Sequence, residues 1–218
     1  MESKSRILQS LFKKAFDYYG PRHWWPGESP FEVMVGAILT QNTAWANVEK
    51  AIVNLKRENV LTPKRLYQVS PTQLAQWIRP AGYFRVKTKR LRSFLKFFLE
   101  KYQGNVSKMK KVDLPILREE LLAVHGIGPE TADSILLYAL EKPIFVVDSY
   151  TKRILNRHYL STEDADYEEL QEFFMDHLKP DAPFYNEYHA LLVHLGKDFC
   201  RTRPQCDRCP LKGFHWPD

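Results

Sequence analysis

The stretch that most restricts what this chain can fold into is Leu121–Leu136, LLAVHGIGPETADSIL. Before Gly126-Ile127-Gly128, Leu117, Leu121, Leu122 and Val124 recur at helical spacing; after it, Ala132, Ile135, Leu136 and Ala139 do the same. Two glycines around one apolar residue allow a hairpin tight enough to turn the second helix back on the first, with Ile127 plugging the join. The N–H groups that begin the second helix then have no partner inside it and point one way, which makes a ready anion site. An ordinary αα-hairpin with a glycine turn would use the same pair of glycines, so they do not by themselves assign a role.

The rest of the chain reads as helices. Residues 4–19 carry Ile7, Leu8, Leu11, Phe12, Ala15 and Phe16 on one face and end at Gly20-Pro21. Ser29-Pro30, Thr62-Pro63 and Ser70-Pro71 each place a capping residue before a proline, the start signal of a helix. The spacing predicts helices near 30–39, 44–57, 63–69, 71–78 and 84–102. Asp113 is placed as the cap of the first hairpin helix, and a buried helix is predicted over 130–140. Ile144–Val147 is apolar but too short and isolated for a strand, so it reads as an extended linker. Asp148 starts another helix, and two more are predicted near 166–178 and 184–197. The fold class is all-α.

Of 218 residues, 44% are hydrophobic and 27% charged, as in a globular protein with a proper core, and the net charge of +6 suits a polyanionic partner. Val33–Leu39 is the longest apolar run, far short of a membrane span, and the N-terminus lacks a signal-peptide core. The expectation is an intracellular protein of the cytoplasm or nucleoid. All three cysteines lie between Cys200 and Cys209; an odd number crowded at one end argues for a metal site rather than disulfides.

The string Val124-His125-Gly126-Ile127-Gly128-Pro129-Glu130-Thr131-Ala132 resembles the helix–hairpin–helix of the endonuclease III superfamily of DNA glycosylases. The resemblance runs from Trp24 to Cys209. Trp24-Trp25-Pro26, Leu39-Thr40-Gln41-Asn42-Thr43 and Glu130 are similar to the 3-methyladenine DNA glycosylase III branch of that superfamily. The resemblance implies two helical domains: 1–28 plus 141–218, with the Cys-rich loop, and a helical barrel over 29–140 carrying the helix–hairpin–helix at 113–140. It implies double-stranded DNA containing damaged bases as the partner, bound between the domains by a monomer. The implied activity is a monofunctional glycosylase of base excision repair that flips out an alkylated purine. Alternatives are a glycosylase/AP lyase of the same fold acting on oxidised pyrimidines or mismatches, and a non-catalytic helix–hairpin–helix DNA-binding protein.

Taken alone, an aspartate before a helical run is most often an N-cap. Asp148, after the apolar run Phe145-Val146-Val147, also matches the family's aspartate, which stabilises positive charge on the sugar and activates water. Glu130 stands where bifunctional members carry the lysine that forms a Schiff base, a reaction glutamate cannot perform. It also suits the first turn of its helix. Trp24, Trp25 and Trp45 are candidates for the base pocket with Glu130, Trp25 and Trp45 foremost, because an electron-rich sandwich attracts a cationic alkylated base. Each could equally be core. A flipped base leaves a hole; the resemblance puts Gln41 in the loop that fills it and Tyr83 as a wedge on the opposite strand, and Asn42 beside Gln41 is a DNA-binding candidate. Lys87, with Lys89, Arg90 and Arg92, is a phosphate contact or a solvated face, and Gly126, Ile127 and Gly128 offer the hairpin to the backbone. Cys200-x5-Cys206-x2-Cys209-x5-His215 is similar in rhythm to the family's iron–sulfur loop, with histidine in the fourth place. An iron–sulfur cluster of the 4Fe-4S type heads the choices; no metal and tetrahedral zinc are the others.

Overall fold

A computed structural model describes residues 4–22 and 24–214, whose regular structure is all helical, with no strand among them. In chain order the helices are α1 (Lys4–Tyr19), α2 (Pro30–Thr40), α3 (Trp45–Arg57), α4 (Pro63–Gln68), α5 (Pro71–Trp77), α6 (Phe84–Tyr102), α7 (Val106–Lys110), α8 (Leu114–Leu122), α9 (Pro129–Ser134), α10 (Ser149–Arg157), α11 (Tyr167–Met175) and α12 (Ala182–Asp198). None is long and apolar enough to cross a membrane. The chain divides into two compact units, Met1–Trp25 with Glu141–Asp218, and Pro26–Leu140.

In the unit Pro26–Leu140, α2 is the centre. Nine of its residues in succession, Phe31 to Leu39, are buried, so it has no polar stripe and must be surrounded. It packs on α3, α6, α9 and the turn after α9. Ser29 starts it, its hydroxyl accepting the Glu32 N–H at 3.2 Å, and Ser70 does the same for Gln73 at 3.3 Å. Thr62 and Asp113 occupy N-cap positions without a side-chain capping bond; the prolines that follow them set the backbone instead. α7 was not legible as a helix: its five residues are held by Asn105, whose Oδ1 accepts from Ser107 and Lys108. The predicted helix over 130–140 is α-helical only to Ser134. Ile135–Ala139 widens into a π turn closed by Leu140 N–H to Ile135 O at 3.2 Å.

In the unit made from both ends of the chain, α12 packs on α1 and α10. Tyr188 joins α12 to α1 by donating to Leu8 O at 2.7 Å. Phe145 stacks on Phe174 with ring centres 3.8 Å apart, and Tyr185 and Tyr188 meet it edge-on. The buried linker Ile144–Val147 has no ladder partner; Gln171 Nε2 donates to Phe145 O at 2.6 Å, and Tyr167 OH accepts from Val147 N–H at 3.5 Å. Side chains thus satisfy backbone that a strand would otherwise pair. α12 begins two residues before its predicted start because Asp181 caps it, accepting from Phe184 N–H at 2.7 Å, with Pro183 in the first turn.

Candidate nucleic-acid interface and carboxylate site

The hairpin lies within Pro26–Leu140. Gly126 has φ +85°, a left-handed backbone, and a Cβ there would sit 2.2 Å from Arg90 Cγ. Arg90 therefore runs directly beneath the turn. Its guanidinium donates to Gln41 Oε1 at 2.6 Å, while Gln41 Nε2 donates to Gly126 O at 3.0 Å and Thr131 Oγ1 at 2.9 Å. One glutamine thus ties the loop after α2 to both sides of the hairpin. The crossing of α8 and α9 is fixed by a bidentate pair: Arg118 Nε and Nη2 donate to the fully buried Asp133 at 2.8 and 3.1 Å. Gly128, by contrast, is exposed with nothing within 4 Å of its Cβ position, so this bend of the backbone is open to an approaching group. Glu130 is exposed in the first turn of α9.

Two assignments made on sequence need correcting. Ile127 is buried and its N–H donates to Val124 O at 3.0 Å, so its side chain plugs the turn and neither that side chain nor its N–H is presented to a partner. Lys87 is 1% exposed, so it is not a phosphate contact. Its Nζ donates to Leu39 O at 2.8 Å, Thr43 Oγ1 at 2.5 Å and Ala81 O at 2.7 Å. Burial, with help from the Arg90 charge, lowers its pKa to about 8. The remaining basic run is also mostly structural. Arg92 donates to Tyr67 O and Val69 O, and only Lys89 faces outward. Asn42 and Tyr83 both have left-handed backbones, at φ +52° and +43°, and both are exposed, Tyr83 by 70%. Trp45 is half-buried at the first position of α3.

Asp148 lies in the other unit, at the N-cap of α10. Its Oδ1 accepts from the Thr151 N–H at 2.8 Å and the Thr151 hydroxyl at 3.0 Å. Its Oδ2 stands 3.7 Å from Nε2 of His189, a buried residue of α12 that sequence reasoning passed over. Burial lowers the His189 pKa; Asp148 opposes that shift and Lys197 adds to it. One carboxylate oxygen is thus locked by the helix start, and the other faces the imidazole of His189, whose charged form burial disfavours. α10 and α12 approach closely here: a Cβ on Gly196 would meet Tyr150 at 2.4 Å. Trp24, in the same unit, packs edge-on to Trp25 and His194 with Lys197 Nζ 5.7 Å over its ring, so one face already holds a cation.

Cys200, Cys206 and Cys209 line one cavity of ≈ 200 Å³, together with Ile154, Arg157 and Leu211. Arg157 donates to Cys200 Sγ and Leu211 N–H to Cys209 Sγ, both at 3.4 Å. Arg153 Nε donates to Cys200 O at 2.6 Å. Burial raises the Cys209 pKa, and the two neighbouring thiols add to it. Soft sulfur donors sharing an apolar cavity, with N–H groups aimed at sulfur, fit an iron–sulfur group. Among the described residues no three side chains close on a single ion, and His215 lies outside them. The cavity abuts α10, the helix that Asp148 begins. Its lining residues Ile154 and Arg157 lie toward the end of α10 opposite Asp148.

A model of the HhH-GPD superfamily of base excision DNA repair proteins matches residues 35–180. The Methanocaldococcus jannaschii protein MJ1434, whose name assigns it provisionally to the DNA repair glycosylases, is 49% identical over 98% of this chain and 97% of its own. The structure of H. pylori 3-methyladenine DNA glycosylase bound to 1,N6-ethenoadenine is 31% identical, covers 90% of this chain and 98% of that one, and superposes with a TM-score of 0.76. A trapped covalent intermediate of endonuclease III with DNA is 25% identical over 98% of this chain and 96% of that one, with a TM-score of 0.81.

Proposed function

We propose that this chain, which belongs to the HhH-GPD superfamily of base excision DNA repair proteins and so to the DNA glycosylases, hydrolyses the N-glycosidic bond of an alkylated purine and leaves the strand intact. The observation that carries the reading is the held carboxylate. Asp148 has one oxygen fixed by Thr151 and the other directed to His189, an arrangement that keeps Oδ2 available to a reaction. As the bond to the base breaks, positive charge grows on the sugar and the carboxylate stabilises it. Water adds at the sugar carbon, its proton passes to the carboxylate, and the base leaves with the bonding electrons. A cationic alkylated purine needs no acid to depart. Trp25 and Trp45 would select it by cation–π attraction, about 0.5–2 kcal/mol each. The likeness to the H. pylori enzyme supports that substrate class.

Glu130 and Lys152 support the absence of strand cleavage. Glutamate forms no Schiff base, and the amine of Lys152 is committed to Ala165 O at 2.6 Å. Gly128 and the start of α9 would receive a phosphate, with Asn42 and Tyr83 probing the duplex. Cys200, Cys206 and Cys209, with His215, would hold an iron–sulfur cluster that fastens the tail to α10. A panel of duplexes, each with one lesion, tests the reading by abasic-site formation. Release from alkylated purines is expected; release from oxidised pyrimidines alone would overturn it.

A further inference from the structure

Lys87 is the most deeply buried cation among the described residues. Its three ammonium protons go to three acceptors on two different loops: Leu39 O and Thr43 Oγ1 beside the first, Ala81 O on the second. The Thr43 hydroxyl itself donates to Ala81 O at 2.6 Å, so the two loops share one hydrogen-bonded knot. A buried ammonium is costly unless fully paired, and the fold could have avoided that cost with an apolar side chain at this position. Immediately beyond the knot each loop presents one exposed residue with a left-handed backbone, Asn42 on one and Tyr83 on the other. For a tyrosine that conformation is strained, and it persists only where neighbouring structure holds it. Tyr83 also leaves most of its ring in solvent, where it is available to stack.

We propose that Lys87 is a positioning residue that holds Asn42 and Tyr83 as one two-pronged element for opening the duplex around the lesion. The inference rests on the glycosylase reading. Without the ammonium the loops lose the hydrogen bonds that it makes, leaving that of Thr43 to Ala81, and the spacing of the prongs relaxes. A displacement of about 1 Å in such a group costs up to a hundredfold in rate. The loss should fall on displacing a paired base, not on bond cleavage.

The test compares single-turnover base release from two substrates: one lesion paired in a duplex, and the same lesion in a single strand, where no pair is opened. Lys87→Met keeps the chain's length and removes its donors; Thr43→Val cuts one strut of the knot. Lys87→Met is expected to slow release from the duplex about tenfold or more and from the single strand less than about twofold, with Thr43→Val smaller in the same sense. Equal losses on both substrates, or none, would overturn the proposal, because a purely structural lysine cannot distinguish them. If Lys87→Met does not fold, the same ratio measured with Thr43→Val decides the matter. Wild-type protein that releases no base from either substrate would instead refute the glycosylase reading.

Discussion

Replacing each hairpin glycine by alanine separates two roles that the sequence pattern treats alike. At Gly126 the backbone is left-handed, which costs a non-glycine residue about 1 kcal/mol. The new Cβ would also lie 2.2 Å from Arg90 Cγ, an atom near the base of that side chain, so the whole arginine must move. Its bond to Gln41 at 2.6 Å is then lost, about 1.5–3 kcal/mol for a charged donor. The sum is about 3 kcal/mol, or a fall in Tm of roughly 6–12 °C for a chain of this size. At Gly128 the backbone is ordinary and the space is empty, so alanine should change stability by no more than about 0.5 kcal/mol. Its methyl group would instead obstruct whatever approaches that bend. Thermal melting and fluorescence anisotropy with a labelled abasic duplex distinguish the two. Gly126→Ala should melt early; Gly128→Ala should melt normally but bind weakly. Equal melting shifts, or a Gly128→Ala protein with wild-type affinity, would refute the reasoning.

Three further outcomes follow from the geometry. His189 is buried with its pKa lowered from 6.5, so the unfolded chain binds that proton first; stability from the neutral ring is complete above about pH 6.5 and declines as pH falls below it. With Asp148 and Lys197 unchanged around it, His189→Asn should flatten that acid limb in urea unfolding measured from pH 7 to 5. Borohydride added during turnover should trap no protein–DNA adduct, and the abasic strand should break only after alkali or heat; trapping would place the nucleophile on another lysine. Anaerobically purified protein should be yellow-brown with iron exceeding zinc, whereas active, colourless, metal-free protein would show that Cys200, Cys206 and Cys209 hold nothing.

The hairpin was legible in the sequence because two glycines and two apolar stripes impose it locally. Arg90 was not, because the second reason Gly126 must be glycine, beside its left-handed backbone, is a side chain supplied by another helix. The basic run Lys87–Arg92 looked like one surface. On α6, however, Lys87 continues the buried stripe of Leu91, Phe94, Leu95 and Phe98, and that register was the available signal that it points inward. His189 carries the same signal among Tyr185, Tyr188 and Leu192 on α12. In both cases residue type outweighed position in the reading. A polar residue on an apolar stripe is buried with partners, and here the partners belong to the elements proposed to act on DNA. The π turn after Ser134 had no signal at all, since its residues suit an α-helix equally well.

The most direct test of the proposed chemistry is single-turnover base release by Asp148→Asn, measured beside its affinity for an abasic duplex. The substitution keeps volume and one acceptor oxygen for Thr151 but removes the charge. Release should fall by about a hundredfold or more while abasic-DNA affinity stays near wild type. Near wild-type release would contradict the assignment of Asp148 and with it the proposed mechanism.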